Sequence, residues 1–163
     1  FPTTTGAWDT IFNGGNSDAF VTRLDMLPTG VAAFGRSSPG CTGLLAISVT
    51  SMPQVGNSGF SLTCGNAPPS ATGLLAFSDG RLPGPWLVAG LEVWLAPWVP
   101  AVTASASSNS IGASEVPLPI PNDPGLAGVR LFAQFFWAGP ISPPPCPPLG
   151  FSASNALDFT IQP

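Results

Sequence analysis

The sequence predicts an all-β fold, an antiparallel β-sandwich with an extended N-terminal arm and hairpin, and three observations predict it. The 163 residues include 21 Pro and 19 Gly, which break helix interiors and so exclude long helices. Several short segments alternate apolar and polar residues with a period of two, as strands with two different faces do. Turn signals recur about every ten residues, which is typical of a sandwich of roughly eight to ten strands.

The first 35 residues form a predicted N-terminal unit, separate from a predicted sandwich domain of residues 36–163. The boundary follows from a composition break at residues 35–43, GRSSPGCTG, where small and turn-forming residues replace the apolar runs. A single hairpin is at best marginally stable in water, so this unit requires a partner surface. Its predicted elements are an extended arm at 1–6, strands at 7–12 and 19–26, turns at 13–16 and 28–30, and the start of a further strand at 31–34.

Within the sandwich domain, residues 129–137, VRLFAQFFW, give the strongest strand signal. The segment is apolar at nearly every position, so we expect a central strand that is covered on both faces. Residues 116–121, VPLPIP, carry alternate prolines without a ladder donor, which predicts an edge strand or a polyproline segment. Residues 101–114 are small and polar and are expected to form an exposed loop or edge. The other predicted strands are 44–50, 59–64, 74–78, 88–95 and 151–161, with turns at 53–57, 79–80, 83–85 and 122–125.

The composition argues against several classes of function. Charged residues make up 7% of the chain, and the four basic residues are all Arg. With no basic cluster and a net charge of −4, nucleic-acid binding is not expected. The lack of His and Lys removes Ser-His-Asp triads, imidazole metal ligands and Schiff-base chemistry, so we expect neither an enzyme nor a cofactor. No apolar run reaches the roughly 18 residues of a membrane-spanning helix.

The three cysteines, Cys41, Cys64 and Cys146, allow three single pairings and leave one thiol over. Loop-rich β chains with few charges are commonly secreted, and disulfides persist outside the cell. We therefore expect an extracellular protein. We favour a disulfide between Cys41 and Cys64, because these residues flank two adjacent predicted strands. Cys146, inside PPPCPP, would then be free or intermolecular.

Two parts of the chain carry family resemblances. In the N-terminal unit, the pattern NGG…DAFV..L…PTG comprises residues 13–15, 18–21, 24 and 28–30. This segment resembles one repeat of the bacterial SBBP family of seven-bladed β-propellers, and a single copy implies one blade-like unit. The remainder is similar to a β domain of secreted, often repetitive bacterial proteins. That similarity implies an extracellular module and brings no catalytic residues; it is carried by residues 39–41, 55–57, 117–119, 126–134 and 154–157.

Three sets of side chains are candidates for chemistry or binding, and each has a structural alternative. A glycosidase needs two carboxylates that face each other across a cleft, and Glu92 and Glu115 are candidates for such a pair. Asn13, Asn16 and Asp18 offer oxygen ligands to calcium, but their spacing lacks the dense Asp pattern of a calcium loop, and a polar turn is favoured. Tryptophans can stack on sugars, although aromatic residues more often anchor cores or interfaces. The tryptophans are Trp8, Trp86, Trp94, Trp98 and Trp137.

The preferred hypothesis is an extracellular structural subunit that polymerises with copies of itself. The N-terminal unit needs a partner, and the chain has too little charge to coat a monomer of this size. Strand addition would let this unit complete the sheet of the next subunit in a head-to-tail filament. The alternatives are a plain monomeric sandwich with the hairpin folded back, and an adhesion or carbohydrate-binding module whose partners are surface glycans. The predicted subunit interface comprises Trp8, Ile11, Phe12, Phe20, Val21 and Leu24.

Overall fold

A computed structural model describes residues 27–96, 102–139 and 146–163. Within these ranges the chain forms eleven strands and one short 3-10 helix, and all paired strands of its sheets are antiparallel, which confirms the predicted all-β class. None of the described residues lies in a helix that is long and apolar enough to cross a membrane. The elements are β1 (Val31–Phe34), β2 (Ala46–Val49), β3 (Ser61–Gly65), β4 (Thr72–Ser78), β5 (Arg81–Val88), β6 (Leu91–Leu95), β7 (Val102–Ser107), β8 (Ser114–Pro117), the 3-10 helix (Pro124–Leu126), β9 (Arg130–Ala138), β10 (Phe151–Ala153) and β11 (Ala156–Thr160).

The larger sheet has six strands, in the order β1-β11-β9-β4-β7, and β10 pairs with β9 beside β11. Strand β9 lies at the centre, and its apolar residues are buried on both faces, which confirms the prediction of a central strand covered twice. Successive residues of a strand point to opposite faces of its sheet. We term the face that carries Ala133 and Phe135 the inner face, and the face that carries Phe132 and Gln134 the outer face.

The smaller sheet, with strand order β2-β3-β8, covers the inner face. Side chains from both sheets form one continuous core, and this pair of layers is the predicted sandwich. Phe60 and Phe159 meet between the layers with ring centroids 5.6 Å apart, and Phe135 stacks against Trp137 at 6.0 Å. Burial of apolar surface stabilises a fold by roughly 25 cal/mol per Å², so this core is the main source of stability.

A hairpin of β5 and β6 covers part of the outer face. Val88 pairs with Leu91 across a two-residue turn, in which Ala89 and Gly90 both have positive φ, at 49° and 81°. These angles fit the mirror-image turn whose twist matches that of paired strands. A smaller apolar cluster lies at the outer face and contains Ala76, Leu95 and Phe132, with Phe34 and Phe136 packed against it.

The prediction of one strand over residues 88–95 is wrong, because that segment contains the hairpin turn. Residues directly opposite each other in a hairpin, here Val88 and Leu91, have side chains on the same face. The alternation of apolar residues therefore continues through the turn, and the sequence pattern does not reveal it. The turn predicted at residues 83–85 lies instead inside β5. Prolines are tolerated there because β5 is an edge strand.

The predicted disulfide between Cys41 and Cys64 is also wrong. Cys41 pairs with Cys146, 105 positions away, with the two Cα atoms 5.4 Å apart. Cys64 lies on β3 and is free, because the pleat of that strand turns its side chain into the core. Pairing depends on the distance and direction of the Cβ atoms, which sequence spacing does not give.

The predicted domain boundary needs one correction. Residues 31–34 were assigned to the N-terminal unit, but they form strand β1, which pairs with β11 at the edge of the large sheet. The composition break at residues 35–43 is therefore part of the connection between the two sheets. The strands predicted at 7–12 and 19–26, and with them all six predicted interface residues, lie outside the described residues.

Candidate association surface

Large apolar side chains are exposed on the outer side of the large sheet. Five of them come from the β5–β6 hairpin and from the residues around the start of β10, and the sixth is on β4. Grouped exposed apolar residues of this kind mark association sites more often than isolated ones do. We term this set the outer apolar surface; its members are Leu74, Trp86, Leu87, Val88, Leu149 and Phe151.

The end of β5 is the most exposed part of this surface. Trp86, Leu87 and Val88 are 55%, 67% and 43% exposed, although neighbouring residues of a strand point in opposite directions. Both faces of β5 are therefore exposed at this end, whereas Leu91, which lies opposite Val88 on β6, is buried. A Cβ atom placed on Gly90 would lie 3.0 Å from Cδ1 of Leu149, so the Leu149 side chain lies beside the hairpin turn.

One polar side chain attaches the hairpin to the sheet. Gln134, at the centre of β9, is fully buried on the outer face. Its Oε1 accepts a hydrogen bond from Trp94 N at 3.0 Å, and its Nε2 donates to Glu92 O at 2.8 Å. Nε2 also donates to Ser154 O at 2.8 Å. The Gln134 amide thus occupies the position that the peptide group of a neighbouring strand would have beside β6.

This attachment fixes the direction in which β5 faces. Glu92 and Trp94 are two residues apart on β6, so the backbone groups that they offer to Gln134 lie on one edge of that strand. Strand β5 pairs with the other edge of β6 and is therefore on the side remote from Gln134. Among the described residues, no other strand pairs with the outward edge of β5.

The interruption between β10 and β11 supports Gln134 and joins the layers. Phe135 N donates to Ser154 Oγ at 3.0 Å, directly beside the bond between Gln134 and Ser154 O. Asn155 Oδ1 accepts from Ile47 N of β2 at 3.2 Å. Ser154 therefore contacts both Gln134 and the backbone of β9, and the adjacent Asn155 contacts the smaller sheet.

A row of aromatic and charged side chains lies beside the hairpin on the outer face. Arg81 is placed over the ring of Phe34 at 5.2 Å, and Phe34 meets Phe132 edge to face with ring centroids 6.0 Å apart. Arg130 is placed over Phe132 at 5.2 Å and forms an ion pair with Asp158, in which Nε and Oδ1 are 2.8 Å apart. The hydrogen bond and charge of Asp158 raise the pKa of Arg130. In these contacts each guanidinium cation is attracted to the face of an aromatic ring. Both arginines therefore already have partners within the protein.

The structure does not bring the candidate carboxylate pair together. Glu92 lies on β6, outside the large sheet, whereas Glu115 lies on β8 of the smaller sheet, on the opposite side. Across the described ranges, His, Cys, Asp and Glu residues form no group of three or more that can hold a metal ion. The candidate calcium ligands Asn13, Asn16 and Asp18 lie outside these ranges.

The described tryptophans have three different environments. Trp137 is buried in the inner core, and Trp94 packs edge to face on Phe34 with centroids 6.1 Å apart. Trp86 alone among these three is exposed to solvent and belongs to the outer apolar surface. Trp8 and Trp98 lie outside the described residues.

Gln134, Leu87 and Val88 are not among the residues that the sequence predicts to be functional, whereas Trp86 is a candidate for sugar stacking. A signal for Gln134 was present, because a polar residue in the middle of an apolar strand requires hydrogen-bond partners once it is buried. The exposure of residues 86–88 has no such signal, because an apolar triplet predicts burial. Comparison with protein-family models, with curated proteins and with solved structures finds no match.

Proposed function

We propose that this protein is an extracellular structural subunit that assembles into a filament by donating its N-terminal segment to a neighbouring copy. The observation that carries the proposal is the outer apolar surface together with the outward edge of β5. An exposed apolar strand edge is a template for pairing with another chain. Addition of a strand from a neighbour supplies main-chain hydrogen bonds, and the flanking side chains supply apolar burial.

The charge of the chain supports association. Four Arg and eight acidic residues are distributed over 163 residues. Arg81 and Arg130 are engaged with aromatic rings, and Arg130 is also paired with Asp158. Mixed surface charge normally keeps a monomer soluble and separate, and here it is scarce.

The course of the chain into β1 supports donation from the N-terminal side. Val31 N donates to Pro28 O across a reverse turn, while Gly30 O accepts from Thr160 N of β11. Because successive backbone groups point to opposite edges of a strand, Pro28 lies on the side of β1 away from β11. The chain before Pro28 thus leaves from the edge of β1 with which no described strand pairs. The sequence before that point contains the predicted interface residues Trp8, Ile11, Phe12, Phe20, Val21 and Leu24.

Two further features support an extracellular location. The Cys41–Cys146 disulfide belongs to a class of bond that persists in oxidising compartments. The resemblances to a propeller repeat and to β domains of secreted bacterial proteins also favour this location. They remain predictions from sequence alone.

The test of assembly compares the purified chain with a variant that carries Trp8→Ser, Ile11→Ser and Phe12→Ser. We expect the native chain to elute as polymers from a size-exclusion column and to give filaments in negative-stain images. The variant should elute as a monomer with an unchanged circular dichroism spectrum. Identical assembly of both proteins would refute donation by this segment, and a strictly monomeric native chain would refute the whole proposal.

The second candidate function is a monomeric adhesion or carbohydrate-binding module. The exposure of Trp86 and Phe151 favours it, because aromatic rings on a surface can stack on sugars. Binding to a glycan array by the triple N-terminal variant, with loss on Trp86→Ala, would support this function. The matched control is Ile111→Ala, at an exposed apolar residue that is not part of the outer apolar surface.

A further inference from the structure

We infer that the outward edge of β5, at residues 86–88, is the acceptor site of the filament, and that it takes residues 7–12 of a second copy of this chain. The inference rests on the proposed function and adds the identity of both contacting strands. It follows from the orientation of the hairpin, from the exposure of its side chains and from the charges of the two segments.

The register of the hairpin shows which backbone groups are available. Leu87 lies directly opposite Glu92, whose carbonyl oxygen accepts from Gln134 on the edge away from β5. Opposed residues of an antiparallel pair are alternately hydrogen-bonded and not hydrogen-bonded to each other. Because the Glu92 carbonyl points away from β5, Leu87 and Glu92 form a pair without mutual hydrogen bonds. The N–H and C=O of Leu87 therefore point away from β6, toward an incoming strand.

Two prolines limit the site to the end of β5. Pro83 and Pro85 have no N–H to donate, and an irregularity in pairing separates Arg81 from Trp86. Prolines on an edge strand prevent unwanted pairing. The part of β5 that follows them lacks this protection, so pairing is directed to residues 86–88.

Side chains on both faces of this edge can bury an incoming strand. Trp86 and Val88 lie on one face of the hairpin and Leu87 on the other, and all three are more than two-fifths exposed. Leu149 lies beside the turn, and Phe151 lies on the outer face of the adjacent strand β10. Burial of these apolar side chains is the main source of affinity, and the backbone of Leu87 fixes the register.

Residues 7–12, AWDTIF, have the composition that this edge requires. Trp8 and Phe12 alternate with Ile11, so apolar side chains would lie on both sides of the added strand. The segment carries one charge, Asp9, and residues 86–88 carry none, so no like charge opposes the pairing. Residues 19–26 are less suitable, because only Leu27 separates them from the reverse turn that begins at Pro28, which leaves little chain to reach a second copy.

The first test uses full-length variants at one acceptor position. Leu87→Pro removes the outward N–H and the side chain, and no β5–β6 hydrogen bond is lost. Leu87→Ala removes the side chain alone. We expect Leu87→Pro to raise the concentration for half-assembly at least about tenfold, Leu87→Ala to raise it less, and the exposed control Ile111→Ala to leave it unchanged. Assembly of Leu87→Pro at the native concentration would overturn the inference.

The second test mixes two full-length proteins, each defective in one strand. Ile11→Asp disables the donor and Leu87→Pro disables the acceptor, so each protein alone should be a monomer. An equimolar mixture should form a dimer that grows no further, since one donor and one acceptor remain. Polymerisation of Leu87→Pro alone, with Ile11→Asp monomeric, would overturn the acceptor assignment and leave the proposed function standing.

A cross-linking test covers the case in which Leu87→Pro does not fold. Cys41 and Cys146 are bridged and Cys64 is buried, so an introduced thiol is distinguishable from the native ones. Ile11→Cys and Leu87→Cys, made in separate chains and mixed under mild oxidation, should give a disulfide between two chains. If a mixture that assembles does not cross-link, the acceptor assignment is wrong. If nothing assembles or cross-links, the proposed function fails with it. If a chain that carries both Ile11→Cys and Leu87→Cys cross-links only within itself, residues 7–12 pair with the β5–β6 hairpin of the same chain.

Discussion

The inner and outer faces of the large sheet are covered in two different ways. On the inner face, a second sheet contributes a continuous apolar core that includes Phe60, Phe135 and Phe159. On the outer face, a hairpin is attached through two hydrogen bonds of Gln134, whose third bond goes to Ser154 O, and through a small apolar cluster. Apolar burial supplies stability without strict direction, whereas the Gln134 amide sets the orientation of the hairpin with little burial. The outer layer is therefore expected to open locally before the sandwich unfolds.

The largest expected effect is in the inner core. Phe135→Ala should lower the free energy of unfolding by about 4 kcal/mol, because it leaves a cavity beside Trp137. Denaturant unfolding followed by tryptophan fluorescence measures this loss. The control Phe151→Ala, at an exposed position on the outer side, should cost below about 1 kcal/mol. Equal losses of unfolding free energy in the two variants would contradict the view that the inner core is the main source of stability.

The attachment of the hairpin can be broken without disturbing the inner core. Gln134→Met conserves the volume but leaves Trp94 N–H and the carbonyls of Glu92 and Ser154 without a partner. We expect the free energy of local opening of the hairpin to fall by about 2 kcal/mol, at roughly 1 kcal/mol for each of the two hydrogen bonds between Gln134 and β6. Amide hydrogen exchange should accelerate in β5 and β6 and remain slow in β3 and β9.

A matched variant at the same position distinguishes the contribution of the amide oxygen, which accepts a hydrogen bond, from that of the amide nitrogen, which donates. Gln134→Glu keeps an acceptor for Trp94 N, but at neutral pH its carboxylate cannot donate to Glu92 O or Ser154 O. Its exchange rates should show that the hairpin is at least as destabilised as in Gln134→Met, because a buried charge is added. Acceleration spread evenly over both sheets would mean that the hairpin is not an independent unit.

The inner core also contains a buried thiol, and the pH dependence of stability tests whether water is excluded from the core around it. Burial raises the pKa of Cys64 from 9.0 to about 11. Between these values the unfolded thiol loses its proton while the folded one retains it, so stability falls as pH rises from 9 to 11. The expected loss is about 2–3 kcal/mol. The chain has no Lys and no Tyr, so few other groups titrate in this window.

The measurement is unfolding by denaturant at several pH values between 8 and 11, in the native protein and in Cys64→Val, with the Cys41–Cys146 disulfide kept oxidised. The variant should lose most of this pH dependence. An equal slope in both proteins would show that another group is responsible for it.

The smallest expected effect is at the edge of the outer face. Arg130→Ala removes the ion pair with Asp158 and the contact with Phe132. Because the arginine is largely exposed, the loss of stability should be smaller than the losses above and should shrink at high salt. A double-mutant cycle with Asp158→Asn measures the coupling. A coupling energy as large as the Gln134 effect would show that charge, rather than the amide, stabilises this side.

The two faces also differ in how far the sequence predicts them. The central position of β9 was predictable, because an unbroken apolar run needs cover on both sides. The hairpin was not, because Val88 and Leu91 share a face and the Ala89-Gly90 turn lacks the usual Asn or Asp. Residues 101–114 and 116–121 were predicted with edge strands among the alternatives, and β7 and β8 lie at sheet edges.

The candidate surface was less predictable than the fold. Trp86, Leu87 and Val88 have the composition of a buried strand, and tertiary contacts, among them the hydrogen bonds of a distant glutamine, hold their hairpin outside the sheet. The pairing of Cys41 with Cys146 depends on two long connections that meet in space, which no local pattern records. Exposure and disulfide pairing are tertiary properties, so they follow from the packing of the layers rather than from the period of any one segment.

The Cys41–Cys146 bond has a consequence for the way in which proteases can degrade the protein. It closes a covalent ring of backbone that contains every strand from β2 to β9. A protease that cuts once anywhere within this ring produces a nicked molecule but releases no fragment. Only the stretches before residue 41 and after residue 146 can be shed by a single cut.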